Sequence, residues 1–204
     1  MLQIIRRRLI RLTNGIDVSE NNGFISQETW YALAHSGIKF VFVRATYGRT
    51  GVDSQFLHNV TCAHNAGMKV GAYHYSYALN TSQAIEEAQH CKDTISKTGV
   101  LLELPVFYDM EDADGYKSRH GFTFDPAEVT EMCRAFGENL ELNWGVYASY
   151  SWLKDYIDWQ SLGCPVWNAE WGKEDDIKGF VWQYTDSFHF NSYTFDGNKM
   201  YMEW

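Results

Sequence analysis

The sequence predicts an α/β protein whose strands close into a modified β/α barrel with helices reduced in its C-terminal half. Two observations carry that reading. Short apolar strands alternate with amphipathic helices as far as residue 149, the pattern of a largely parallel sheet. Beyond that point three strand-like segments follow one another with little helix between them. At 204 residues and 45% hydrophobic content the chain can bury one core, and its 3 prolines mark no linker or repeat. Residues 14–204 therefore read as one domain, preceded by a basic arm over 1–13.

The elements follow in order. "NGIDVS" opens the first strand, and "SQETWYALAHSG" places Trp30, Leu33 and Ala34 on one helical face before stopping at Gly37. The strand "IKFVFVRAT" comes next, then the helix "SQFLHNVTCAHNAG", ending at Gly67, and the strand "KVGAYHYSY". In that strand Tyr73, Tyr75 and Tyr77 alternate onto one face, with His74 and Ser76 on the other. "SQAIEEAQHCKDTISKTG" carries Ile85, Ala88, Cys91 and Ile95 on one helical face and leads into the strand "LPVFYDME". A helix then starts at "DPAEVTEM", with Asp125 as cap, Pro126 at the first position and Glu128 closing a capping box. After the strand "NWGVYAS" and a short helix near "SYSWLKDYI", the strands "CPVWNAEW", "GFVWQYTD" and "SYTFDGNKMYMEW" complete the set.

Charge and cysteine usage exclude several function classes. A formal net charge of −9 is wrong for tracking phosphates, so nucleic acid is not an expected partner. Arg6, Arg7, Arg8 and Arg11 are the basic cluster, in a segment without the apolar run or cleavage site of a secretory signal. They read as a packed or frayed arm, or as a contact to an anionic wall or membrane surface. No apolar run reaches the length of a membrane span, so stable insertion is not expected. Cys62, Cys91, Cys133 and Cys164 form no C-x-x-C and read as reduced thiols. His58, His64 and His74 fit no zinc spacing; no metal and no cofactor is expected.

One stretch carries chemistry. "YDMED" ends an apolar strand by placing Asp109 and Glu111 two residues apart, hence on one face. Solvated loop carboxylates are one reading; an acid and base pair for hydrolysis is the other. In a β/α barrel the working residues sit at the C-terminal ends of strands. Asp17, Tyr75, Asp109, Glu111, Tyr147, Trp167 and Gln183 all lie near such ends.

The ordered set "GIDVSENNG", "FVFVRATYG", "VGAYHYSY", "YDMED", "PVWNAEW", "WQYTD" and "FDGN" resembles the glycoside hydrolase family 25 muramidases, or Chalaropsis-type lysozymes, from about residue 14 to residue 201. The resemblance implies a flattened, modified β/α barrel. It also implies cleavage of the β-1,4 bond between N-acetylmuramic acid and N-acetylglucosamine in bacterial peptidoglycan. By the same resemblance Glu111 is the general acid, Asp109 flanks the reacting sugar, and Asp17 and Asp196 complete an acidic cluster. Asp109 acts either as nucleophile or by orienting a substrate acetamido group that attacks in its place. Crowded carboxyls in a partly desolvated pocket separate their proton affinities, as such chemistry requires.

Tyr75, Tyr147, Trp167, Trp182 and Tyr184 are the expected sugar contacts, since flat rings with polar tips suit sugar faces. Arg44 is expected to pair with the acidic cluster. The chain departs from the family pattern at "WNAEW", where Trp171 replaces the usual Tyr and Glu170 adds a carboxylate. Wall-binding repeats are not seen, so targeting is expected from the groove, the arm or another polypeptide. A monomer acting on the cell wall is expected, released as phage enzymes are or exported by a route the sequence does not reveal. The competing readings are a catalytically silent glycan-binding module and another glycosidase, the latter weakened by the missing D-x-x-D-x-D-x-E motif of chitinases.

Overall fold

The computed structural model describes residues 12–201, so the arginines of the basic arm lie outside the described residues. The chain begins with β1 (Thr13–Val18), α1 (Gln27–His35), β2 (Phe40–Tyr47), the two-residue β3 (Gly51–Val52), α2 (Phe56–Asn65) and β4 (Lys69–Tyr75). It continues through α3 (Thr81–Thr98), β5 (Val106–Asp109), α4 (Tyr116–Arg119), α5 (Pro126–Leu140) and β6 (Trp144–Ser149). Two short helices, α6 (Tyr150–Asp155) and α7 (Trp159–Leu162), precede β7 (Val166–Ala169), β8 (Val181–Phe190) and β9 (Tyr193–Met200). Three of the four longer helices start where the sequence supplies a cap: Ser26 accepts from Thr29 N–H, Asn80 from Gln83 N–H, and Asp125 from Ala127 and Glu128 N–H, with Pro126 following.

The strand order β1-β9-β8-β7-β6-β5-β4-β2-β3 closes on itself because β1 also pairs with β2. The result is a closed barrel in which β3 stays outside the ring as a hairpin on β2. From β1 round to β8 the barrel pairs are parallel, whereas β9 runs antiparallel to both β8 and β1. Beyond α5 the helices shrink to single turns, and β8 and β9 are joined directly as a hairpin.

Period-two alternation sorts the side chains into two cores. The outer core lies between strands and helices and holds Ile16, Val41, Val43, Val70, Tyr108 and Val146 with Trp30, Cys91, Cys133 and Phe136 from the helices. The inner core fills the barrel with Phe40, Phe42, Phe107, Trp167, Phe180 and Met200. Phe42 packs with its ring centroid 5.0 Å from Phe107 and 4.7 Å from Trp167. Room for these rings comes from glycines on the neighbouring strands: a Cβ on Gly15, Gly71 or Gly145 would stand 2.4, 2.4 or 2.5 Å from a ring carbon of Phe40, Phe42 or Phe107 respectively. The barrel is thus packed solid with rings at its floor.

Two local expectations are corrected. β4 stops at Tyr75, so Tyr77 does not share its strand face. On α3 the fully buried positions include Glu87, while Ile85 is only half-buried, because Glu87 finds partners that satisfy its carboxylate. Its Oε1 accepts from Tyr77 N–H at 2.8 Å and its Oε2 from Tyr108 OH at 3.0 Å. Cys62, Cys91 and Cys133 are buried, Cys164 is half-buried, and all are free thiols. Among the described residues no helix is long and apolar enough to cross a membrane.

Candidate active site

The parallel strands deliver their C-terminal residues to one end of the barrel. There Asp17 of β1, Tyr75 of β4, Asp109 of β5, Tyr147 of β6 and Gln183 of β8 line a cavity of about 250 Å³. Glu111, Asp196, Arg44 and Trp167 join the same lining. Asp196 reaches it from the opposite chain direction, because β9 is antiparallel and sets Asp196 directly across from Asp17.

Asp17 is buried, and its Oδ2 accepts from Asn198 Nδ2 at 2.7 Å and Gln183 Nε2 at 3.1 Å. Both amides are held in turn: Asn198 Oδ1 accepts from Trp167 Nε1 at 2.8 Å, and Gln183 Oε1 accepts from Tyr147 OH at 3.0 Å. Burial pushes the Asp17 carboxyl well above the ordinary carboxylate range and the charge of Asp196 pushes the same way, while the two amide donors oppose the rise. Asp196 is also raised, chiefly by burial.

The chain stays extended past β5 because Met110 N–H donates to Tyr147 O at 3.0 Å, and the alternation carries on through the next residues. Met110 turns into the outer core, so Asp109 and Glu111 both face the cavity. Asp109 Oδ1 is buried without a hydrogen-bond partner among the described residues. Burial first, and then the neighbouring Glu111 charge, hold Asp109 well above its usual range against the opposing pull of Lys117. Burial likewise lifts Glu111 to about 7, with Lys117 again opposing and Asp114, Asp196 and Asp112 adding to the rise. A carboxyl that keeps its proton near neutrality, beside others held in the same pocket, is the donor that acid-catalysed bond cleavage needs.

Most of the sequence-predicted residues meet here, but three do not play the expected part. Trp182 and Tyr184 are absent from the cavity lining: Gln183 between them faces inward, and alternation turns its neighbours away. Trp182 Nε1 instead donates to Glu170 O at 2.7 Å, and the Lys199 ammonium lies 5.0 Å and 4.5 Å from the Trp182 and Tyr184 ring centroids. Arg44 lines the cavity, yet its ion pairs are with Glu20 and Asp53, each at 2.9 Å, rather than with the acidic cluster. The turn after β1 and the segment after β3 bring those two carboxylates to it. Trp167 is almost fully buried and serves as the floor.

Of the two departures from the family pattern, Trp171 is 63% exposed, its indole N–H 3.5 Å from Gln183 Oε1. Glu170 is occupied elsewhere, its Oε2 accepting from Asn168 Nδ2 and Asp176 N–H. Sequence reasoning missed Asn198 and Lys117. The first was detectable as the residue two past Asp196 on the same strand face; the second, in a polar loop segment, gave no signal.

The known proteins converge on the same reading. The model of the family described as glycosyl hydrolases family 25 matches residues 16–193. The chain belongs to that family. Within family 25 terms, it is 30% identical over 179 residues to the autolytic lysozyme of Clostridium acetobutylicum, covering 85% of this chain and 50% of that one. It is 26% identical over 182 residues to lysozyme M1 of Streptomyces globisporus, covering 84% and 61%. The chain thus spans about half to three-fifths of the length of these relatives. The family 25 barrel also superposes on the modular autolysin LytC of Streptococcus pneumoniae, solved with a synthetic peptidoglycan ligand, with a TM-score of 0.80 at 21% identity, covering 94% of this chain and 47% of that one. Among the described residues no group of three or more His, Cys, Asp or Glu is arranged to hold a metal ion.

Proposed function

We propose that this family 25 chain is a peptidoglycan hydrolase, an N-acetylmuramidase that cuts the β-1,4 bond between N-acetylmuramic acid and N-acetylglucosamine in bacterial cell-wall glycan. The observation that carries the reading is the Glu111 carboxyl, lifted to about 7 at the mouth of a barrel beside the buried Asp109. Relatives of the chain carry the names autolytic lysozyme and lysozyme, and the muramidase reading extends that activity to this chain.

In this mechanism the protonated Glu111 gives its proton to the glycosidic oxygen as the C1–O bond breaks. The 2-acetamido carbonyl oxygen of the same sugar closes onto C1, forming a cyclic oxazolinium ion. Asp109 Oδ1, which has no partner among the described residues, accepts the acetamido N–H and offsets the positive charge that develops. Glu111, now ionised, takes a proton from the water that opens the ring, so the anomeric configuration is retained overall. Asp17 and Asp196 keep the opposite wall polar, and Tyr75 and Tyr147 give the sugar flat faces with hydroxyl tips.

The test is reaction of the purified protein with insoluble peptidoglycan, followed by borohydride reduction and mass analysis of the released fragments. Reduced muramic acid ends, lost in Glu111→Gln, support the assignment. Reduced glucosamine ends would keep a hydrolase but contradict the bond, and glycan binding without fragments would leave a silent binding module.

A further inference from the structure

Lys117 is a lysine that folding has taken out of water. It is 1% exposed, in a four-residue helix just beyond the acid-bearing segment. Its Nζ donates to Glu111 O at 3.0 Å and to Ser76 O, so it bridges the chain leaving β5 and the chain leaving β4. Neither acceptor is a carboxylate, and burying an ammonium on carbonyls alone is costly. The compensation comes from the charges around it. Glu87 on α3, Asp109 on β5, and Asp112 and Glu111 in the following segment all favour its protonated form, while burial lowers its proton affinity. Asp112 also fixes its approach, accepting from Lys117 N–H at 2.6 Å and Ser118 N–H at 3.1 Å.

We propose that Lys117 is a positioning residue for the Glu111 acid, clamping the Glu111 main chain to the end of β4 and supplying the positive charge against which Asp109 and Glu111 share their negative charge. The proposal rests on the muramidase reading for its functional meaning, because that reading makes Glu111 the acid. The groups facing Glu111 from the surrounding elements are Lys117 on α4, Asp109 on β5, Tyr75 on β4, Tyr147 on β6, Asp196 on β9 and the loop residues Asp112 and Asp114. Lys117 is the cation that pulls Glu111 back toward ionisation, against three carboxylates that push the other way. Without it the acid would hold its proton more tightly and release it less readily to the leaving oxygen in the first step.

The experiment compares the full chain with Lys117→Met and Lys117→Arg, using carboxyl-labelled glutamate and magnetic resonance to follow the Glu111 carboxyl across neutrality, assigned by its loss in Glu111→Gln. In Lys117→Met the Glu111 carboxyl should titrate about one pH unit or more higher, the lower end of what a close opposite charge does. The alkaline limb of kcat/KM on peptidoglycan should move up with it, and Lys117→Arg should bring both back toward the parent. A folded Lys117→Met protein with unchanged Glu111 titration overturns the proposal. Should Lys117→Met fail to fold, nitrogen-15 lysine in the parent protein decides. There the Lys117 Nζ resonance should follow the Glu111 titration, and a flat response overturns the proposal. Absence of turnover by the parent would count against the muramidase reading alone, since the carboxyl titration is read without substrate.

Discussion

Removing the Glu111 carboxyl should stabilise the protein in alkali and leave it unchanged in acid. The proton on Glu111 is held more tightly in the folded chain, at about 7, than in an unfolded one, where a glutamate titrates at 4.5. Below 4.5 both states are protonated and the group is neutral toward folding. Between 4.5 and 7 the unfolded chain has lost this proton while the folded one keeps it, so stability falls across that window and the loss is complete above about 7. At roughly 1.36 kcal/mol per pH unit the full loss is on the order of 3 kcal/mol. Glu111→Gln keeps the shape without the charge, so above about pH 8 it should exceed the parent by that order, or roughly 6 to 12 °C in Tm for a chain of this size. It also removes the charge that raises Asp109, which acts in the same direction. Urea unfolding of both proteins at acid, neutral and alkaline pH measures the difference directly. A difference between them that does not grow with pH would refute the reasoning, because it would mean that Glu111 ionises in the fold as easily as in water.

Two further outcomes follow from the same contacts. Asn198→Leu removes the 2.7 Å donor to Asp17 and the acceptor of the Trp167 indole N–H, leaving buried polar atoms unpaired. It should cost about 1–3 kcal/mol in urea unfolding and lower turnover on peptidoglycan, whereas unaltered stability would remove Asn198 from its supporting role. Gly145→Ala would set a Cβ 2.5 Å from both the Phe107 ring and Pro165 O. It should destabilise by about 1–3 kcal/mol, and a neutral result by thermal unfolding would mean the barrel floor is looser than its ring packing implies.

Much of the architecture was legible because it rests on local rules. Ser26, Asn80 and Asp125 cap the helices they precede in the sequence, and the apolar strands are those that alternate between the inner and outer cores. Asp17, Asp109, Glu111 and Asp196 were found through motifs, and the barrel brings them to one cavity. What escaped depends on contacts between distant segments. Arg44 is a charge in an apolar strand, and such a pattern says that it needs a carboxylate but not that Glu20 and Asp53 supply it. Trp182 and Tyr184 flank Gln183 in a recognisable motif, yet facing is set by the hairpin register, which places Gln183 opposite Asn198. Glu87 reads as a solvent-facing residue of an ordinary helix until Tyr77, Tyr108 and His74 close around it.

The pairing of Asp17 with Asp196 has a consequence for the life of the chain before it is finished. The wall of the cavity that holds both carboxyls forms only when β9 slots between β8 and β1, joining residues 181 positions apart through the Asn198 to Asp17 hydrogen bond. Contacts of that separation form late, after the entropy of closing so long a loop has been met. A polypeptide still being synthesised therefore carries Glu111 long before it carries the whole pocket that Glu111 lines. Any fragment ending before β9 would bear Glu111 and seven of the eight ring strands, and would lack Asp196 and the Asn198 amide that holds Asp17.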